Sequence, residues 1–153
     1  MRKLLLTATL FGGVALLTSA TGAQEKDKFA VEAPKLDGGY TIVSGEEDGK
    51  AVPADRIKGA IVRFNGDTIT GTDKDKKEFF AAKFTVETDK KPWVIKIRST
   101  EPKAADASGL IKKEGDTVTL IYAKPGGAMP TEFKTKENQH LFVLKALKPG
   151  DKK

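Results

Sequence analysis

From Tyr40 onward, apolar and polar residues alternate in short runs separated by turn-forming residues. The clearest run is Trp93–Ser99 (WVIKIRS), where Trp93, Ile95 and Ile97 face one way and Lys96 and Arg98 the other. A helix would spread those charges around its circumference, so the period of two predicts a strand. The same reading gives strands over Tyr40–Ser44, Gly59–Phe64, Asp67–Thr70, Glu78–Thr88, Gly109–Lys113, Asp116–Ala123 and Gln139–Ala146. Asn65-Gly66 predicts a type I′ hairpin turn, in which both residues take positive φ. Glu114-Gly115 predicts a second tight turn. The motif Gly-Asp-Thr-(β-branched)-Thr occurs at Gly66–Thr70 and again at Gly115–Thr119. The flanks do not match, so two hairpins with similar turn chemistry account for it better than duplication.

Between these runs, Pro53–Ile57 predicts one helical turn with Pro53 at its start. Thr100–Ala107, with Pro102, predicts a loop, and Lys124–Asn138 a second one that is long for a small domain. Loops of that length are often lids, binding elements or mobile segments. Strand after strand joined by polar turns, without a long helix, predicts an all-β antiparallel sandwich or barrel. A small eight-stranded up-and-down barrel is preferred, because closure removes exposed edges.

The first residues change the setting. Arg2 and Lys3, the apolar Leu4–Leu17 and the small residues Thr21-Gly22-Ala23 have the order of a secretory signal peptide over 1–23. The apolar run falls short of the ~17–20 residues of a spanning helix, the alternative reading. The sequence further predicts a polar, flexible lead-in over 24–35, the barrel domain over 36–147 and a disordered tail over 148–153. No cysteine is present to carry a lipid or a disulfide. The expected product is a soluble, extracytoplasmic monomer without a membrane span or lipid anchor. Its stability must come from an apolar core, which the about 130 remaining residues can supply.

Charge excludes more than it suggests. The chain carries a formal +6, and +4 once Arg2 and Lys3 are removed. Its lysines interleave with Asp and Glu, as in Asp73–Glu78, whereas a nucleic-acid groove needs a clustered basic stripe. Without cysteine there is no thiol nucleophile or thiolate metal site, and His140 is the only histidine. His140 reads as a strand-end residue with a solvated or backbone-bonded ring. Asp73 and Asp75 have calcium-loop spacing, but Phe84 stands where the bidentate Glu belongs. Gly126-Gly127 lacks the Lys-Ser/Thr of a phosphate loop. No enzyme activity, metal or cofactor is predicted. What remains is the interior of the barrel, with Phe80, Phe84, Trp93, Ile95, Ile97, Leu120 and Tyr122 as candidate lining residues. An eight-stranded barrel either fills with side chains or holds one small ligand, and each of these taken singly reads first as ordinary core.

Leu36-Asp37-Gly38-Gly39-Tyr40, Val43-Ser44 and Asp48-Gly49-Lys50 resemble the opening of an uncharacterised lipocalin-like domain family abundant in planctomycete bacteria. Gly109-Leu110-Ile111, Gly115–Val118, Tyr122–Gly126, Met129–Phe133 and Leu141–Lys145 resemble its closing signature. The likeness covers about Leu36 to Leu147. It departs at Tyr40, where the family usually has Trp, and at Met129, where it often has Arg. In lipocalins that Trp and a basic residue commonly pack at the closed end, so the resemblance implies a rearranged floor. It also implies that Pro130–Phe133 is a structural element, with Thr131 and Glu132 holding its loop. It supplies a fold and no activity.

Two functions remain. One is an exported, non-catalytic barrel binding a small apolar or amphipathic ligand. The other is a structural or protein-interaction module of the cell envelope with a filled core.

Overall fold

Period-two alternation becomes strand throughout the computed structural model, which describes residues 35–148 and Gly150. The signal peptide over 1–23, almost all of the lead-in and most of the tail lie outside the described residues. In chain order the elements are β1 (Gly38–Glu47), β2 (Lys50–Ala51), α1 (Ala54–Ile57), β3 (Ile61–Asn65), β4 (Thr68–Thr72) and β5 (Glu78–Glu87). They continue as β6 (Trp93–Glu101), β7 (Ala105–Glu114), β8 (Thr117–Ala123) and β9 (Gln139–Ala146). Strands pair antiparallel in the order β1-β3-β4-β5-β6-β7-β8-β9, and β9 pairs back onto β1. The result is the expected all-β, eight-stranded up-and-down barrel, of lipocalin-like architecture. β2 only folds back on the end of β1.

Turn chemistry differs from the expectation at the first hairpin. Asn65 pairs with Thr68, so Gly66 and Asp67 are the central residues, and only Gly66 has a positive φ, of 59°. That is the signature of a type II′ turn, which wants Gly at its first central position. Glu114 pairs with Thr117 in the same way around Gly115-Asp116, with φ 63° at Gly115. The repeated Gly-Asp-Thr motif is therefore one turn solution used twice. The type I′ pattern occurs elsewhere, at Asp48-Gly49 between β1 and β2, where both φ values are positive. The expected loop at Thr100–Ala107 is mostly strand: β6 runs to Glu101 and β7 begins at Ala105.

Three register shifts bend the sheet. Ile42 faces Leu144 but Ser44 faces Val143, which leaves Val43 as an extra residue in β1. Gly71 faces Phe80 but Thr72 faces Glu78, which leaves Phe79 as an extra residue in β5. Thr100 is the extra residue of β6 opposite Ala81 and Ala82. Each bulge resets which side chains point inward beyond it.

One end of the barrel is solid. Ile95, Ile111, Val118 and Leu144 are no more than 1% exposed there. Burial of that degree is worth about 1.5–3 kcal/mol for each side chain. Tyr40, Phe64 and Phe84 stack edge to face across this end, with ring centroids 5.5 and 5.4 Å apart. Leu36, from the segment entering β1, is buried in the same cluster, and its carbonyl accepts a 2.8 Å hydrogen bond from the Tyr40 hydroxyl. Tyr40 thus builds a floor from aromatic edges and a tethered leucine. Met129 takes an exposed position on the long loop.

That loop is a strap rather than a free segment. Phe133 packs on a second apolar cluster formed by the outward faces of Leu110, Ile121 and Leu141. Lys112 lies over its ring at 5.2 Å. Pro130, Thr135 and Gln139 are buried. Gln139 donates from Nε2 to the Ala128 carbonyl and accepts at Oε1 from the Lys136 amide, each at 2.8 Å. Thr135 joins the strap to β1 by donating from its amide and hydroxyl to Glu46, and it accepts from the Gly49 amide. Thr131 and Glu132, expected to hold the loop, are exposed, and Glu132 makes only a 3.9 Å contact with Lys136. The neighbouring Phe133 and Thr135 do that work.

Candidate functional site

Opposite the solid end, the inward residues do not meet, and a cavity of about 260 Å³ opens between them. Its walls come from most of the barrel: Ile42 of β1, Val62 of β3, Ile69 and Gly71 of β4, and Phe79 and Phe80 of β5. Ile97 of β6, Leu120 and Tyr122 of β8, and His140, Phe142 and Leu144 of β9 complete them. The surface is almost wholly apolar. An apolar space of this size is larger than an engineered cavity of about 150 Å³ that binds benzene. It falls just short of the roughly 300 Å³ at which pockets for drug-sized ligands begin.

Of the candidate lining residues, Phe80, Ile97, Leu120 and Tyr122 line this cavity. Phe84 and Ile95 belong to the solid end, and Trp93 packs against it half-buried. The face was legible from alternation, but depth along the barrel was not.

Phe79 owes its place to the β5 bulge. Regular alternation would send it outward, because Phe80, Ala82 and Phe84 point in. As the extra residue it turns to the mouth, where it remains 49% exposed while lining the cavity. Its ring lies over Gly71, where an added Cβ would come within 3.0 Å of it. Consecutive phenylalanines thus serve one side of the opening.

The polar side of the mouth lies four strands away round the closed sheet. Tyr122 and His140 are directly paired across β8 and β9, and both point inward. The Tyr122 hydroxyl is 3.2 Å from His140 Nδ1. His140 Nε2 comes within 2.7 Å of Glu47 Oε1, off the line of a well-aligned hydrogen bond. Glu47 reaches the mouth because the Val43 bulge shifts the alternation of β1 by one. The same shift sends Glu46 outward to Thr135. His140, expected as a solvated or backbone-bonded ring, is instead held among side chains and packs edge-on against Tyr122 and Phe142.

Charge at this rim is balanced locally. Lys124 Nζ donates to Glu47 at 3.0 Å and to Asp48 at 3.2 Å, and Arg56 of α1 stands 3.7 Å from Glu47. Lys124 first, then His140, hold the Glu47 carboxyl at about 2, well below the ordinary carboxylate range. Burial, with the nearby Glu47 charge, pushes the Tyr122 phenol up to about 12. The Tyr122–His140–Glu47 chain has the connectivity of a catalytic relay, but a nucleophile needs its proton loosened. Here the phenol keeps it.

Among the described residues, no group of three or more His, Asp or Glu side chains is placed to hold a metal ion. No helix among them is long and apolar enough to cross a membrane. No family model, curated protein or solved structure matches this chain.

Proposed function

We propose that the protein is an exported, non-catalytic barrel of the lipocalin-like kind that carries a small apolar or amphipathic molecule. The observation that carries this reading is the apolar cavity of about 260 Å³ at one end of an otherwise solid barrel. A barrel maintained only for packing has no need of such a space, since protein interiors pack closely and leave few voids larger than a water molecule. The N-terminal pattern of charge, apolar run and small residues supports export. The likeness to the planctomycete lipocalin-like family supports the barrel architecture in this reading and adds no activity to it.

The test is a titration with N-phenyl-1-naphthylamine, an uncharged probe whose fluorescence rises in apolar surroundings. Saturation at one equivalent is expected. Val62→Trp, which places an indole in the cavity, should weaken binding tenfold or more without lowering the melting temperature. Absence of saturation in the folded protein would instead favour an envelope interaction module working through its outer surface. So would binding that Val62→Trp leaves unchanged.

A further inference from the structure

The two sides of the mouth differ in chemistry, and that difference specifies the occupant more narrowly. On one side are the faces and edges of Phe79 and Phe80, and on the other the rings of Tyr122, His140 and Phe142. Aromatic rings packed around a small volume favour a ring-shaped guest, which meets them in edge-to-face or offset geometry. The residues lining the cavity include no lysine, arginine or carboxylate. The cations of the polar rim are already engaged: Lys124 is shared between Glu47 and Asp48, and Arg56 stands 3.7 Å from Glu47. A charged guest would therefore lose its hydration without gaining a counter-charge.

Polarity inside is confined to the Tyr122–His140 pair. Glu47 beside Nε2 favours the tautomer with the proton on that nitrogen, which leaves Nδ1 as an acceptor. The Tyr122 hydroxyl then donates to Nδ1 across the 3.2 Å contact. Its oxygen keeps lone pairs at the wall of the cavity, and these accept. The site therefore asks for a donor.

Resting on the binding function proposed above, we infer that the cavity selects uncharged one- or two-ring aromatic molecules carrying a single O–H or N–H donor. The donor meets Tyr122 Oη, and the ring lies between Phe79 and Phe142.

Three bicyclic probes of similar shape separate the possibilities by calorimetric titration at pH 7. They are 2-naphthol, its donor-free ether 2-methoxynaphthalene, and the anion 2-naphthoate. The expected order is naphthol first, the ether about tenfold weaker for want of one neutral hydrogen bond, and naphthoate weaker still. In the double variant Tyr122→Phe, His140→Phe the naphthol preference should fall to within twofold of the ether. Ether binding in that variant reports that the cavity is intact. The inference is overturned if the wild-type protein binds the ether or naphthoate as tightly as naphthol. It is also overturned if the variant retains both ether binding and the naphthol preference. If the wild-type protein binds none of the three but takes up the larger, three-ring N-phenyl-1-naphthylamine, selection for one- or two-ring donors fails and the carrier function stands. If it binds none of the four, both fall.

Discussion

At the scale of single residues, the tightest constraint is Gly109. It sits buried in β7, opposite Tyr122 of β8. A Cβ added there would come within 1.9 Å of the Ile121 carbonyl oxygen and 2.7 Å of the Tyr122 Cα. Both are backbone atoms of the neighbouring strand, so no side-chain rotation relieves the contact. Gly109→Ala must push β8 away and is expected to cost about 3 kcal/mol, the upper part of the range for overpacked cores. For a domain of this size that lowers Tm by roughly 10 °C, readable in a thermal melt. A Tm within about 2 °C of wild type would show that the strands separate freely here. Because Tyr122 is the residue displaced, the variant should also bind 2-naphthol less tightly. Nothing in the letters around Gly109 marks this: a glycine opening an apolar run reads as a strand boundary, and the partner strand reveals the contact.

At the scale of elements, most predicted strands exist because β-branched and aromatic residues alternate there with polar ones. The hairpin positions follow from Gly-Asp pairs that supply the required backbone. What the alternation could not locate is where it breaks. Val43 and Phe79 look like ordinary outward positions in the sequence, yet the extra residue at each bulge decides which acid reaches the mouth and which ring guards it. Strands β8 and β9 concealed their inward face for another reason. Ile121 and Leu141 are buried on the outside, in the cluster that Phe133 of the strap covers, so both faces look apolar. His140 could not be assigned inward without knowing that cover. The strap itself makes a distinct prediction. Phe133 is half-buried, so Phe133→Ala should cost about 2 kcal/mol, less than a fully buried phenylalanine. Amide exchange should rise across residues 124–138, while binding of N-phenyl-1-naphthylamine stays within twofold. A large loss of probe binding with unchanged exchange would make the strap a lid.

At the scale of the whole molecule, closure depends on β1 meeting β9, and Glu47 stands at the mouth end of that seam. Its carboxylate ties β1 to Lys124 after β8, to His140 of β9 and to Arg56 of α1. Held at about 2 when folded, the group is more acidic than in the unfolded chain, where carboxyls of its type titrate near about 4.3. As pH falls, the unfolded chain takes up this proton first, so acid favours unfolding. The contribution of Glu47 is therefore complete above about pH 5 and declines through the interval between the two values. It is gone once the folded carboxyl is also protonated. Urea unfolding of the wild-type protein and Glu47→Gln at constant ionic strength isolates this contribution, because every other carboxylate cancels in the difference. The gap in stability between the two proteins should be widest at pH 5, shrink steadily below pH 4 and close near pH 2. A gap that does not change across that range would mean that the carboxylate contributes through its shape and packing rather than its charge. The seam would then owe its closure to the β1–β9 hydrogen bonds and side-chain packing, with no part played by the charge.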